Sequence, residues 1–184
     1  QMLIRDQQQL NHLAAYDSLT GSLNRQAFEA VCRALMRTSI RQQKPLSAIL
    51  IDLDHFKQIN DAHGHLAGDT VLREVVAIIE QMQRKSDVIA RWGGEEFLLL
   101  LPDCGVHDAA RLADQLRLRI RNHDFNLQPS RTVTLSAGVA EYSHGEQEDD
   151  LFRRLDDALY QAKRQGRNRT VIADQMLPRT AGQS

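Results

Sequence analysis

Cysteine is scarce: Cys32 and Cys104 stand far apart, without the close spacing of a metal knuckle or a redox pair. So few thiols exclude a disulfide scaffold, and the expected setting is a reducing, cytoplasmic one. An excess of one charge is missing too, with 23 Lys and Arg against 24 Asp and Glu, a formal net charge of −1. No global basic field argues for a nucleic-acid polymer or an anionic membrane as partner. Any phosphate chemistry must therefore use locally placed cations. Long hydrophobic runs are absent, and those present are far too short to cross a bilayer. No signal peptide is expected. It begins with Gln1 rather than Met, as expected of a fragment continued upstream. A tether in the inner membrane upstream would leave this portion in the cytosol.

What is there is ordinary for a soluble globular protein: 42% apolar and 26% charged residues, with a length that suits one domain plus short extensions. Residues 1–15 carry Leu3, Leu10 and Leu13 at roughly heptad spacing, which fits the end of a helical stalk and equally a frayed terminal helix. The domain proper is expected over 16–174, with a flexible tail over 175–184. After a polar turn at 17–24, hydrophobic spacing predicts a helix over 25–41 and a buried strand over 46–53. Residues 54–67 are polar and punctuated by glycine, with one short helical turn near Lys57. A helix is expected over 68–83. Strands over 88–92 and 97–101 meet across Gly93-Gly94 as a hairpin. A helix over 106–125, a strand over 132–142, a helix over 149–165 and a strand over 170–173 complete the order.

That order is β-α-β-β-α-β followed by α-β, a mixed α+β ferredoxin-like palm with additional helices and a terminal strand. It has a geometric consequence. With the first strand running upward, Asp52 lies near its top. The crossover makes the second strand run upward as well, so the hairpin carrying Glu95 and Glu96 turns at the top. The last long helix climbs to the same edge and brings Lys163 and Arg167. Arg84 and Asp87 fall at the opposite edge.

The acids come first in the chemistry. Asp52 and Asp54 follow a buried strand, and hard oxygens at a strand end suit Mg²⁺, which takes one or two carboxylates plus substrate phosphates. Two such ions can serve an in-line displacement. Each acid alone reads as one facing water; the convergent set is what points to a metal. Lys163 and Arg167 read as phosphate ligands or as a helix end complementing its dipole. His63 and His65 lack an evident third ligand, and Trp92 reads as packing.

The motifs then form a series. Arg91-Trp92-Gly93-Gly94-Glu95-Glu96-Phe97 is preceded by Asp52-Leu53-Asp54-His55-Phe56-Lys57-Gln58-Ile59-Asn60-Asp61 and by Gly64-His65-Leu66-Ala67-Gly68-Asp69. Asp17-Ser18-Leu19-Thr20-Gly21 with Leu23-Asn24-Arg25 stands before them. Thr134-Leu135-Ser136-Ala137-Gly138-Val139-Ala140 follows, then Ala158-Leu159-Tyr160-Gln161-Ala162-Lys163 and Gly166-Arg167-Asn168. In this order they resemble the motifs of the diguanylate cyclase, or GGDEF, family over nearly the whole chain. Two departures are Ser22 and Gln26, where the opening motif commonly has an apolar and a basic residue. Glu95 rather than Asp stands third in the signature, a variant compatible with activity.

The resemblance implies condensation of two GTP into cyclic di-GMP and two pyrophosphates across a homodimer. Asp52 and Glu95 would hold Mg²⁺, or Mn²⁺ in its place, with the Leu53 carbonyl as added ligand and Glu96 in support. Lys57, Lys163 and Arg167 would grip the triphosphate together with backbone N–H groups around His55 and Phe56. Asn60 and Asp69 would read guanine, whose adjacent N1–H and N2–H₂ donors suit a carboxylate; Asp69 also fits a helix N-cap. Leu19 and Leu72 would wall the base, although Leu72 fits ordinary core too. Arg84 and Asp87 form an RxxD where many family members bind cyclic di-GMP as inhibitor, and read alternatively as a surface ion pair. The N-terminal helix would transmit the state of an upstream sensor domain. Two rival readings stand beside this one: a catalytically silent receptor for GTP or cyclic di-GMP, and a palm acting on another nucleotide.

Overall fold

The computed structural model describes residues 15–174. The stalk expected over 1–15, apart from Ala15, and the tail expected over 175–184 lie outside them. Among the described residues the elements are α1 (Arg25–Gln42), β1 (Leu46–Leu53), α2 (Phe56–His63), α3 (His65–Met82), β2 (Val88–Arg91), β3 (Glu96–Pro102), α4 (Val106–Asn122), β4 (Leu135–Glu141), α5 (Glu148–Arg164) and β5 (Thr170–Ile172). The strands form one sheet in the order β2-β3-β1-β4-β5. β3 and β4 run antiparallel to β1, β2 antiparallel to β3, and β5 parallel to β4. This is the ferredoxin-like palm with an added edge strand.

β1 is central, and all eight of its residues are buried. Alternation sorts its side chains. Ile49, Ile51 and Leu53 join Phe97, Leu99 and Leu101 against α2, α3 and α4. Ala48 and Leu50 join Leu98 and Leu100 against Phe28 and Cys32 of α1 and Leu155 of α5. α1 starts where the Asn24 side chain accepts the Ala27 N–H at 3.0 Å, an N-cap, and ends where Gln43 turns left-handed at φ 55°. Gly138 lets α5 lie close on β4, since a Cβ there would stand 2.5 Å from the Leu155 carbonyl oxygen.

Several boundaries differ from expectation. The single turn near Lys57 is an eight-residue helix, α2, entered through His55 at φ 55°. α3 starts at His65, not Gly68, so Asp69 sits inside the first turns and is not an N-cap. Gly68, the expected first residue of this helix, is buried within it. The helix expected to reach Phe125 ends at Asn122, and the strand expected from Thr132 starts at Leu135.

Candidate active site

Registers fix the meeting point. Asp52 lies opposite Glu96 on one side and Ser136 on the other. The Leu53 N–H donates to the Glu95 carbonyl at 3.2 Å, tying the hairpin to the end of β1. The climbing α5 delivers Lys163, whose Nζ donates to Asp52 Oδ2 at 2.8 Å. Asp52, Glu95, Glu96 and Lys163 therefore share one edge of the sheet, as the strand order required.

Their electrostatics are unbalanced. Burial raises the Asp52 carboxyl above the ordinary range, opposed by the hydrogen bond and charge of Lys163 and, less, by Arg167. Glu95 and Glu96 are each raised first by burial and next by the charge of Asp52. One ammonium thus answers three carboxylates. A dication is what such a set lacks, so the residues fit a magnesium-type ion. Among the described residues no three His, Cys, Asp or Glu side chains converge on a point. An ion here would draw on Asp52 and Glu95 and take its other oxygens from backbone, water or phosphate, as Mg²⁺ commonly does.

The hairpin is braced from outside. Arg91 donates to the Gly94 carbonyl at 2.9 and 3.3 Å and to both oxygens of Asp17 at 3.2 and 3.3 Å. Burial works against the Asp17 charge, but the Thr20 hydroxyl and N–H, with Arg91, hold its carboxyl below the usual range. Trp92 packs edge-on to Phe28 and Phe152, with the Arg25 guanidinium 4.2 Å from the ring centre. Ser22, one of the two departures, is buried and hydrogen-bonded to the Thr20 hydroxyl at 2.8 Å. The Asp17–Arg91–Gly94 chain leaves no mark in the sequence, since Asp17 and Arg91 are 74 residues apart and Gly94 is reached through its backbone oxygen.

After β1 the chain enters α2, which packs against α3. Asn60 Oδ1 is buried without a hydrogen-bond partner. It faces Gly68, where a Cβ would stand 1.8 Å from that oxygen. Asp69 follows directly, half-buried, while Leu72 is core and Leu19 packs against the same cluster. Phe56 is buried, whereas His55 and Lys57 are exposed at the start of α2, where the first N–H groups have no partner within the helix. Arg167 is exposed beyond α5, at φ 64°.

One reading changes. Asp54, grouped with Asp52 as a strand-end oxygen donor, is saturated by the Thr134 and Ser136 hydroxyls, both at 2.7 Å, and the Asn168 N–H at 3.0 Å. It is not free for a metal. His63 turns Nδ1 to the Gln128 carbonyl at 3.1 Å. Arg84 and Asp87 lie at the opposite edge, with Asp87 buried and accepting the Arg84 N–H at 2.7 Å. The Arg84 guanidinium reaches the Pro102 carbonyl at 3.0 Å. No helix among the described residues is long and apolar enough to cross a membrane.

Comparison with known proteins now carries weight. Diguanylate cyclase DgcM of Escherichia coli K12 is 41% identical over 169 residues, covering 92% of this chain and 41% of its own length. The chain thus spans about two fifths of that relative. The coiled coil and GGDEF domain of DgcB from Caulobacter crescentus, solved with c-di-GMP, superposes with a TM-score of 0.88 at 30% identity, covering 94% of this chain and 92% of that one. The active GGEEF domain of a Vibrio cholerae diguanylate cyclase superposes at 0.78 with 40% identity, covering 83% and 98%. The family model for the diguanylate cyclase GGDEF domain matches residues 14–169, and the chain belongs to that family.

Proposed function

We propose that this chain condenses two molecules of GTP into cyclic di-GMP and two pyrophosphates, with two copies facing each other. The observation that carries the reading is the Asp52–Glu95–Glu96 set with Lys163 on one sheet edge, together with the buried Asn60 Oδ1 that lacks a hydrogen-bond partner. In each half-reaction the 3′-oxygen of one GTP bonds to the α-phosphorus of the other, the α–β phosphoanhydride bond breaks, and pyrophosphate leaves. Glu95, whose carboxyl burial and the charge of Asp52 raise above the ordinary range, is suited to take the 3′-hydroxyl proton. Asp52, Glu95 and the Leu53 carbonyl would hold Mg²⁺, or Mn²⁺ in its place, which when bound supplies Lewis-acid polarisation and neutralises phosphate charge. Lys57, Lys163, Arg167 and the N–H groups near His55 and Phe56 position the triphosphate, and positioning with electrostatics does most of the work in such transfers.

Asn60 and Asp69 read guanine between Leu19 and Leu72; adenine, with an acceptor at N1, would leave the Asp69 carboxylate unpaired. Because one palm holds one nucleotide and the product is two-fold symmetric, an isologous dimer suits the reaction. The upstream stalk and sensor would set the encounter of the palms. Arg84 and Asp87 serve as the inhibitory product site; the exposed Arg84 and the rigid turn fixed by Asp87 support this.

The test is pure protein with Mg²⁺ and GTP, ATP or both, followed by product identification and mass determination. Cyclic di-GMP from GTP alone is expected, with activity rising with dimerisation. Glu95→Ala turning over at the parent's rate, or equal use of ATP, would sink the assignment. Arg84→Ala is expected to start at the parent's rate and to escape inhibition by added cyclic di-GMP.

A further inference from the structure

Asp54 sits two residues beyond Asp52 yet makes no contact of the catalytic kind. Its Oδ2 accepts the Thr134 hydroxyl and the Asn168 N–H, and its Oδ1 accepts the Ser136 hydroxyl. Asn168 is gripped a second time: its Oδ1 accepts from Arg117 Nη1 at 3.2 Å, and Arg117 is itself fixed by Asp114 at 2.9 Å. Arg167 and Asn168 are consecutive non-glycine residues at φ 64° and 47°. Such backbone persists only where its surroundings over-determine it. Here the Arg167 N–H also donates to the Ala162 carbonyl at 3.0 Å, and the Arg169 carbonyl accepts from Ala137 at 2.9 Å.

A buried anion is poorly chosen for the rim of a site that takes a highly charged triphosphate. Its repulsion opposes substrate, and a neutral residue of similar shape would not. The carboxylate therefore needs a compensating role, and its three hydrogen bonds lead from β4 to the loop that carries Arg167. We propose that Asp54 is a positioning residue for triphosphate binding: with Arg117 it clamps Asn168 from two sides and so fixes where the Arg167 guanidinium stands relative to Asp52. The charge of Arg167 already reaches Asp52, easing its carboxylate against burial. This inference rests on the reading of Arg167 as a phosphate ligand.

A double-mutant cycle on the full chain tests it, by equilibrium titration with Mg²⁺ and 3′-deoxy-GTP, which cannot form the new bond, and with guanosine as the phosphate-free control. Asp54→Asn is expected to weaken 3′-deoxy-GTP by about tenfold in the parent and by less than about twofold once Arg167→Ala is present. Guanosine binding stays unchanged throughout. Equal losses in both backgrounds, a parallel loss for guanosine, or no loss at all would each overturn the proposal. Should Asp54→Asn fail to fold, Arg117→Ala in the same cycle decides, since it opens the other half of the clamp by releasing the Asn168 side chain. Arg167→Ala binding 3′-deoxy-GTP as the parent does would remove Arg167 from the proposed function and this inference with it. Loss of the clamp effect alone leaves that function standing.

Discussion

At the edge where α5 begins, Glu146 has a side chain only 1% exposed, and it is fully answered. Arg154 donates to both its oxygens at 2.8 Å and to the Glu141 carbonyl at 2.6 Å, and the Ser143 N–H adds a further bond at 2.9 Å. At the edge where α5 ends, Asp52 is nearly as buried, but one ammonium serves it and two neighbouring glutamates. Asn60 Oδ1, on the same side, has no partner. Residue types are alike at the two edges; saturation is not. One edge spends its charges on holding the fold, while the other keeps them unsatisfied for something that is not protein.

The largest way to break this contrast is Glu95→Gln. Cyclic di-GMP formation is expected to fall about 10³-fold, roughly 4 kcal/mol of barrier, while the thermal midpoint does not fall. Removing a like charge beside Asp52 explains the second part. Carboxyls raised in the fold bind their proton more tightly there than in the unfolded chain. Their stabilising effect is present below the unfolded pKa and is lost as pH rises through the folded value. Without divalent ions the midpoint should therefore drop as pH climbs out of the acid range through these raised values. The drop should be smaller in Glu95→Gln and Glu96→Gln, as thermal scans across pH would show.

The opposite edge should respond the other way. Glu146→Ala leaves Arg154 uncompensated in a largely buried place, a change that costs about 3–5 kcal/mol. Denaturant unfolding measures the loss, and turnover per folded molecule should equal the parent's. A catalytic loss beyond the unfolded fraction would mean that the edges are not independent.

How much of this could be read beforehand follows from distance along the chain. β1 was legible residue for residue, because a continuous apolar run after Pro45 has one reading. Strand order then placed Asp52, Glu95 and Lys163 together, since handedness and alternation of direction leave little freedom. α2 and the start of α3 were less legible. Residues 54–67 are polar and punctuated by Gly64, so the pattern starts the helix only at Gly68, whereas Gly68 sits inside it, facing Asn60. The saturation of Asp54 was not legible at all, because its donors lie 80 to 114 residues away and hydroxyls carry no pattern in sequence.

Gly68→Ala sharpens the contrast within the functional edge. Its Cβ would meet Asn60 Oδ1 at 1.8 Å and the Phe56 ring at 3.1 Å. Overpacking of this kind costs about 1–3 kcal/mol. Asn60 can yield only by leaving its present place, so GTP affinity should fall further than the loss of stability explains. Titration of the folded variant with 3′-deoxy-GTP checks this; unchanged affinity would separate Asn60 from base recognition.

The smallest expected effect comes from Arg25→Ala. The guanidinium lies over Trp92, and its ion pair with Glu29 joins side chains 62% and 33% exposed, which contributes little. Loss of the cation–π contact should therefore account for most of the change, about 0.5–1 kcal/mol in denaturant unfolding. Arg25→Lys separates the two, since lysine keeps the charge and gives up the planar face. Turnover should change by less than about twofold, because Arg91 still holds the Gly94 carbonyl and Asp17. A tenfold loss would instead place the brace of the Glu95 hairpin in the Arg25–Trp92 stack. The catalytic edge would then depend on α1 as well as on the Arg91 brace.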